Sequence, residues 1–280
     1  MKTKLLYIVF FLISFTSVSQ TTYVPDDAFE QFLIDAQYDT APLDDYVPTA
    51  NIENIVFLEL QFLGIADLTG IEDFSALEIL RCNFNELTSL DLSQNIALEY
   101  LECIDNQITS LDLSQNTALT TLDCSANELS TLDLSQNVLL TNLSCADNNL
   151  SSLELSLNTA LASLSCGFNQ LTSLNLSQNN DLVFLDCNDN QLTNLNLGQN
   201  TLLRNLNCYN NQLTSLDVSQ NLDLIFLYCY NNNFSELNVS QNSALSQLVC
   251  YDNQITNLDL TQNASLAVLN CGTNLSLIHI

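Results

Sequence analysis

The run CIDNQITSLDLSQNTALTTLD, from Cys103 to Asp123, is followed directly by Cys124, so cysteine returns after 21 residues. The same interval separates all ten cysteines: Cys82, Cys103, Cys124, Cys145, Cys166, Cys187, Cys208, Cys229, Cys250 and Cys271. Disulfide pairing is the usual first reading of an even cysteine count, but bridges need no strict period. Zinc sites need close pairs such as C-x-x-C, and the sequence has none. A strict period instead gives each cysteine the same packing position in successive coils of a solenoid.

The rest of the unit keeps the same step. Leucine precedes each cysteine by two residues, from Leu80 to Leu269. Asparagine follows each by three: Asn85, Asn106, Asn127, Asn148, Asn169, Asn190, Asn211, Asn232, Asn253 and Asn274. Leucine recurs at Leu90, Leu111 and onward to Leu258, and leucine or valine two residues later, as in Leu92, Leu113, Val218 and Val239. A second asparagine series runs from Asn95 to Asn263. The unit reads L-x-x-L-x-C-x-x-N-x-L-T-x-L-D-L-S-Q-N-x-x.

This unit resembles the leucine-rich repeat, in particular the 21-residue nested subclass called IRREKO, whose two halves each carry an L-x-x-L-x-[CL]-x-x-N-like pattern. The chain also resembles exported leucine-rich-repeat proteins of the Bacteroidetes. The resemblance covers residues 56–274, as one 22-residue repeat followed by about nine 21-residue repeats. In the first, FLELQFLGIADLTGIEDFSALEIL (Phe57–Leu80), Leu58 and Leu60 take the strand positions. Leu63 stands where the asparagine belongs, which predicts a differently packed first turn. The resemblance implies recognition of another protein.

Leu101-x-Cys103 and Leu111-x-Leu113 each alternate apolar and polar, so both halves of a coil can be short strands with alternate residues facing inward. The predicted fold is a leucine-rich-repeat solenoid, mostly β, of stacked parallel short strands, with further short strands on the opposite side. No coil buries its own apolar face, so stacking supplies stability. Asparagine side chains at the strand exits can bond backbone groups of their own coil and the next, forming a buried ladder. In-register cysteines would hold their Cβ atoms about 4.8 Å apart where a bridge wants about 3.8 Å, which predicts free thiols.

Residues 1–19 read as a signal peptide. Lys2 and Lys4 precede the apolar run Leu5–Phe15, which is shorter than the roughly 20 residues that span a bilayer. The predicted location is therefore secreted or cell surface, with no membrane insertion after signal removal. Residues 20–55 read as an N-terminal cap. Within it YVPDDAFEQFLIDA (Tyr23–Ala36) sets Phe29, Phe32, Leu33 and Ala36 at helical spacing. Asp44 and Asp45 raise the question of calcium, but no EF-hand spacing accompanies them and capping is the plainer role. Residues 275–280 read as an irregular, truncated end.

The formal charge is −28, from 32 acidic against 4 basic residues, which repels phosphate backbones and argues against nucleic acid. The one histidine, His279, lies in the irregular tail, and no glycine-rich phosphate loop appears among five glycines. Asp91, Asp112 and Asp133 recur with the period, a solubility pattern rather than a catalytic pair. Neither catalysis nor a cofactor nor a metal is expected.

Binding is better motivated. Outward positions beside the cysteines turn aromatic in the last third of the chain: Phe184, Tyr209, Phe226, Tyr228, Tyr230 and Tyr251. Tyr209, Tyr230 and Tyr251 are equivalent in consecutive coils and should form a ladder with rings about 5 Å apart. Polar-tipped aromatics suit protein hot spots or the faces of sugar rings, and they also simply favour β structure. In the first coils Glu102 and Asp123 lie near Arg81 and Tyr100; an acidic groove there could take basic partners or divalent cations, but a merely solvated face is the plainer reading. A protein partner is expected, with a glycan platform or a structural spacer as alternatives.

Overall fold

The computed structural model describes residues 20–275. The predicted signal peptide, His279 and the rest of the C-terminal hexapeptide beyond Leu275 lie outside them. Strand β1 (Thr21–Tyr23) pairs antiparallel with β2 (Tyr46–Pro48), and helices α1 (Asp27–Asp35) and α2 (Thr49–Ile52) pack beside them. Eleven three-residue strands then form one parallel sheet in chain order. They are β3 (Phe57–Glu59), β4 (Ile79–Arg81), β5 (Tyr100–Glu102), β6 (Thr121–Asp123), β7 (Asn142–Ser144), β8 (Ser163–Ser165), β9 (Phe184–Asp186), β10 (Asn205–Asn207), β11 (Phe226–Tyr228), β12 (Gln247–Val249) and β13 (Val268–Asn270). Among the described residues no helix is long and apolar enough to cross a membrane.

Each strand puts one leucine inward and two residues outward, because side chains alternate across a strand. The coil starting at Leu98 shows what this buries: Leu98, Leu101, Cys103, Ile108, Leu111 and Leu113 all reach the core. Identical columns stack from coil to coil, so one continuous core runs the length of the array. The ten cysteines form one column of free thiols, and only Cys271, in the last coil, is partly exposed.

The asparagine ladder runs backward rather than forward. The Asn106 amide donates to Cys103 O in its own coil at 3.1 Å and to Cys82 O in the preceding coil at 3.1 Å, and its Oδ1 accepts from Leu87 N at 3.0 Å. The expected link to the next coil is thus corrected. The chain turns back from the strand before reaching the asparagine, so the side chain faces the coil already laid down. In the second series, Asn116 Nδ2 donates to Leu92 O and Asn95 O at 3.0 and 2.9 Å, again in the preceding coil.

The opposite side of the coil is also corrected. It consists of turns, and its one isolated bridge joins Asp217 and Asn238. Its aspartates bond the backbone locally. Asp91 Oδ1 accepts from Ser93 N at 2.9 Å, and Asp112 and Asp133 repeat this with Ser114 and Ser135. Such local bonds compete with strand pairing, and Asp217 and Asn238 form their bridge while making the same bonds to Ser219 N and Ser240 N. The bonds also hold the carboxyls of Asp91, Asp112 and Asp133 below the usual aspartate range.

Each strand exit is a left-handed turn. In the ten repeats from Phe84 to Thr273 the residue two places after cysteine has φ between 45° and 56°. Asp, Asn, Ala or Thr fills most of these positions, but Phe84 and Phe168 do so too, as does Phe62 one coil earlier. A bulky side chain there is strained. Replacing the exposed Phe168 by Asn is expected to leave stability unchanged or raise it by about 1 kcal/mol. The urea midpoint measures this, and a clear drop would show that the ring packs against something.

The array is sealed at its N-terminal end. Asp26 caps α1 through Oδ1, accepting from Ala28 N and Phe29 N at 2.9 and 3.0 Å. Its Oδ2 accepts from Ala66 N and Asp67 N of the first coil at 2.8 and 3.0 Å. Phe29 stacks on Phe74, and both are fully buried. Phe32 is half-buried and Ala36, beyond the end of α1, is exposed, so the predicted apolar stripe is shorter than its spacing suggested. Gly70 has φ +103°, and a Cβ there would sit 2.7 Å from Tyr23 O, so the first coil can meet β1 only with glycine. Where Leu63 replaces asparagine the side chain is 39% exposed, and Asn85 of the following coil accepts from Leu63 N in addition to the regular ladder bond from Ile65 N.

Candidate binding face

The outer face of the sheet carries three columns of side chains: two from each strand and one from the residue after each cysteine. Strand register places these residues in line from coil to coil. The face divides along the rod into three zones of different chemistry.

In the C-terminal zone the rings of Tyr209 and Tyr230 stack at 4.4 Å and 7°, and those of Tyr230 and Tyr251 at 4.4 Å and 11°. Burial and neighbouring negative charge push the Tyr209 hydroxyl up, and burial with two adjacent tyrosines pushes Tyr230 up further, so both remain neutral donors. Tyr228 stands in the neighbouring column and donates to Gln247 Oε1 at 2.6 Å. Phe184 and Phe226 share a third column, but Asn205 lies between them in register, so they are two strands apart. The six predicted aromatics therefore form one ladder of three, a neighbour and two separated rings.

At the N-terminal zone Arg81 lies 3.6 Å from Glu59 and 3.4 Å from Glu102. Its guanidinium covers the rings of Phe57 and Tyr100, at 5.9 and 5.1 Å from their centroids. The Tyr100 hydroxyl donates to Glu102, whose other oxygen accepts from Asn83 Nδ2 at 3.0 Å. The sequence placed Arg81, Tyr100 and Glu102 together but missed Asn83 and Phe57. It also missed the stacked pair Phe62 and Phe84, 4.4 Å apart with their planes 4° apart. Counting Phe84 as the second residue after Cys82, and Phe62 as its counterpart one repeat earlier, was the signal available.

Between these zones the outward side chains are small. Ser144 and Ser165 follow Asp123 in one column, and Ala146 and Gly167 follow Ser125 in the next. Burial raises the carboxyls of Asp123 and Asp186, at either end of this stretch.

Away from the sheet, carboxylates of the cap gather in two groups, Asp27 with Glu30 and Asp45, and Glu30 with Asp39 and Asp44. The buried Glu30 accepts from Asp44 N at 2.7 Å and Asp45 N at 3.1 Å, so this acid closes the loop backbone.

The parallel in-register sheet, the inward leucine columns and the asparagine ladders define a leucine-rich-repeat solenoid. Among solved structures it is similar to the functional domain of InlJ from Listeria monocytogenes, described as including a cysteine ladder. That likeness is 35% identity over 91% of this chain and 62% of that one, with a TM-score of 0.84. It is also similar to an internalin, inlF, of Listeria monocytogenes: 25% identity, 90% of this chain, 83% of that one, TM-score 0.76. A leucine-rich-repeat protein of Leptospira interrogans is 28% identical over 78% of this chain and 58% of its own, with a TM-score of 0.69. The chain thus spans less than two thirds of the InlJ domain and of the Leptospira protein. No family model matches the sequence, and no curated protein matches it.

Proposed function

We propose that the protein is an exported, non-catalytic recognition module that binds another protein through the outer face of its sheet. The observation that carries this reading is the ladder of Tyr209, Tyr230 and Tyr251. Rigid, polar-tipped aromatics on an open face lose little entropy on contact and are typical binding hot spots. Their geometry weighs against the glycan alternative. Each face of the Tyr230 ring is covered by a neighbouring tyrosine, so the ladder offers edges and hydroxyls where a sugar would want free ring faces. Export rests on Lys2, Lys4 and the apolar run that follows them.

Affinity capture with the wild type and with Tyr209, Tyr230 and Tyr251 all replaced by Ala, alongside a glycan array, tests the proposal. Losing the three rings is expected to weaken a captured protein by several kcal/mol, at about 2 kcal/mol per hot-spot tyrosine. A partner retained unchanged by the triple variant, or a glycan lost in its place, would overturn it.

A further inference from the structure

Asp123, Ser144, Ser165 and Asp186 occupy one outward column on four successive strands. The next column holds Ser125, Ala146, Gly167 and Asn188. Three coil steps at the spacing of paired strands separate the two aspartates, about 14 Å. The floor between them is a stretch of hydroxyls and a methyl, with Gly167 buried beneath the Asn188 side chain, and with Tyr100 standing beyond one end and Tyr209 beyond the other.

One buried side chain points into this floor with an unused acceptor. Asn188 is 4% exposed and its Nδ2 donates to the Tyr209 hydroxyl at 2.8 Å, while its Oδ1 has no donor. That oxygen lies over Gly167, 2.5 Å from where a Cβ would be. Both aspartates also lack a cation. Asp123 accepts from Ser125 N at 3.0 Å, and Asp186 accepts from Asn188 N and Asn207 Nδ2, each at 3.2 Å. Among the described residues the ion pairs are those of Arg81 with Glu59 and Glu102. Half-buried carboxylates left without a counter-charge are costly, and an incoming cation offsets that cost. Burial makes both carboxyls harder to ionise than an exposed aspartate.

We infer that the floor between Asp123 and Asp186 seats a basic segment of the partner protein, with one lysine or arginine at each aspartate and small residues between them. The inference rests on the reading of the sheet face as a protein-binding surface and names the chemistry that part of it takes. Two carboxylates without a counter-charge and one amide oxygen without a donor suit ammonium or guanidinium groups, which donate and never accept. The charge of −28 favours approach of a basic segment and disfavours a second copy of this chain. In an extended segment two residues four apart point the same way and lie about 14 Å apart, matching the aspartates.

Two blocked peptides of equal composition, Lys-Ser-Ser-Ser-Lys and Lys-Lys-Ser-Ser-Ser, test this by NMR titration of the purified protein. The first is expected to bind more tightly and to shift resonances of Ser144, Ser165 and Asn188. D123N and D186N should each weaken it about tenfold, as loss of a charge-assisted bond does. G167A should weaken it as well, by displacing Asn188 Oδ1, and thermal melts confirm that each variant is folded. Equal affinity for the two peptides, indifference to all three substitutions, or no binding of either peptide overturns the inference. If protein capture through Tyr209, Tyr230 and Tyr251 still succeeds in that case, the broader reading stands without this seat.

Discussion

Above pH 9 the array is expected to unfold as a unit, and its thiols are the reason. Burial raises nine of the ten: Cys82, Cys145 and Cys250 go from 9.0 to about 12, and the other six interior thiols also rise. A thiol whose value is higher in the folded state leaves stability intact below pH 9 and erodes it as pH climbs toward 12. At pH 10 each buried thiol favours the unfolded chain by about 1.4 kcal/mol. Nine of them reach on the order of 10 kcal/mol, comparable with the whole stability of a typical domain. Tyr209 and Tyr230 add to the loss with the same sign. Circular dichroism and thiolate absorbance followed together should therefore change together, steeply, near pH 10. A gradual thiolate titration centred on 9 with the dichroism unchanged would show that the column is open to solvent.

Asn148→Ala should destabilise the rod by about 2–4 kcal/mol and divide its unfolding into two steps. Asn148 Oδ1 accepts from Leu129 N at 2.9 Å, and its Nδ2 donates to Cys124 O and Cys145 O at 3.0 and 3.2 Å. Alanine strands the Leu129 amide in a dry interior, costing about 1–3 kcal/mol, and removes one of two donors from each carbonyl, which Asn127 and Asn169 still bond, costing about 1 kcal/mol more. Because coils touch only their neighbours, the weakened junction uncouples the coils before it from those after it. Urea unfolding monitored at Tyr230 should then precede or follow that monitored at Tyr100. One unchanged cooperative transition would mean that the ladder does not bind the coils together.

The strict period made the core legible, because columns of identical residues leave one way to pack. Leu101, Cys103 and Asn106 repeat without exception in role, and the structure buries every counterpart in the interior coils. The turn side was misread because D-L-S alternates as a strand would, while the carboxylate of Asp112 closes a ring onto Ser114 N. Alternation shows which residues face inward but not whether the backbone between them is extended. The outer face was only partly legible. Tyr209, Tyr230 and Tyr251 follow from spacing alone, as does the separation of Phe184 from Phe226, two periods apart. The Asn188 acceptor above Gly167 depends on two neighbouring coils, one of which signals only by lacking a side chain.

Because every interior strand meets its neighbours in the same register, the rod works as a ruler with interchangeable segments. Excising one complete 21-residue unit from the serine zone would rejoin matching ends and leave both flanks as they are. The charged end and the tyrosine end would then simply sit one notch closer, so gene duplication or loss can retune the distance between two docking points without redesigning either.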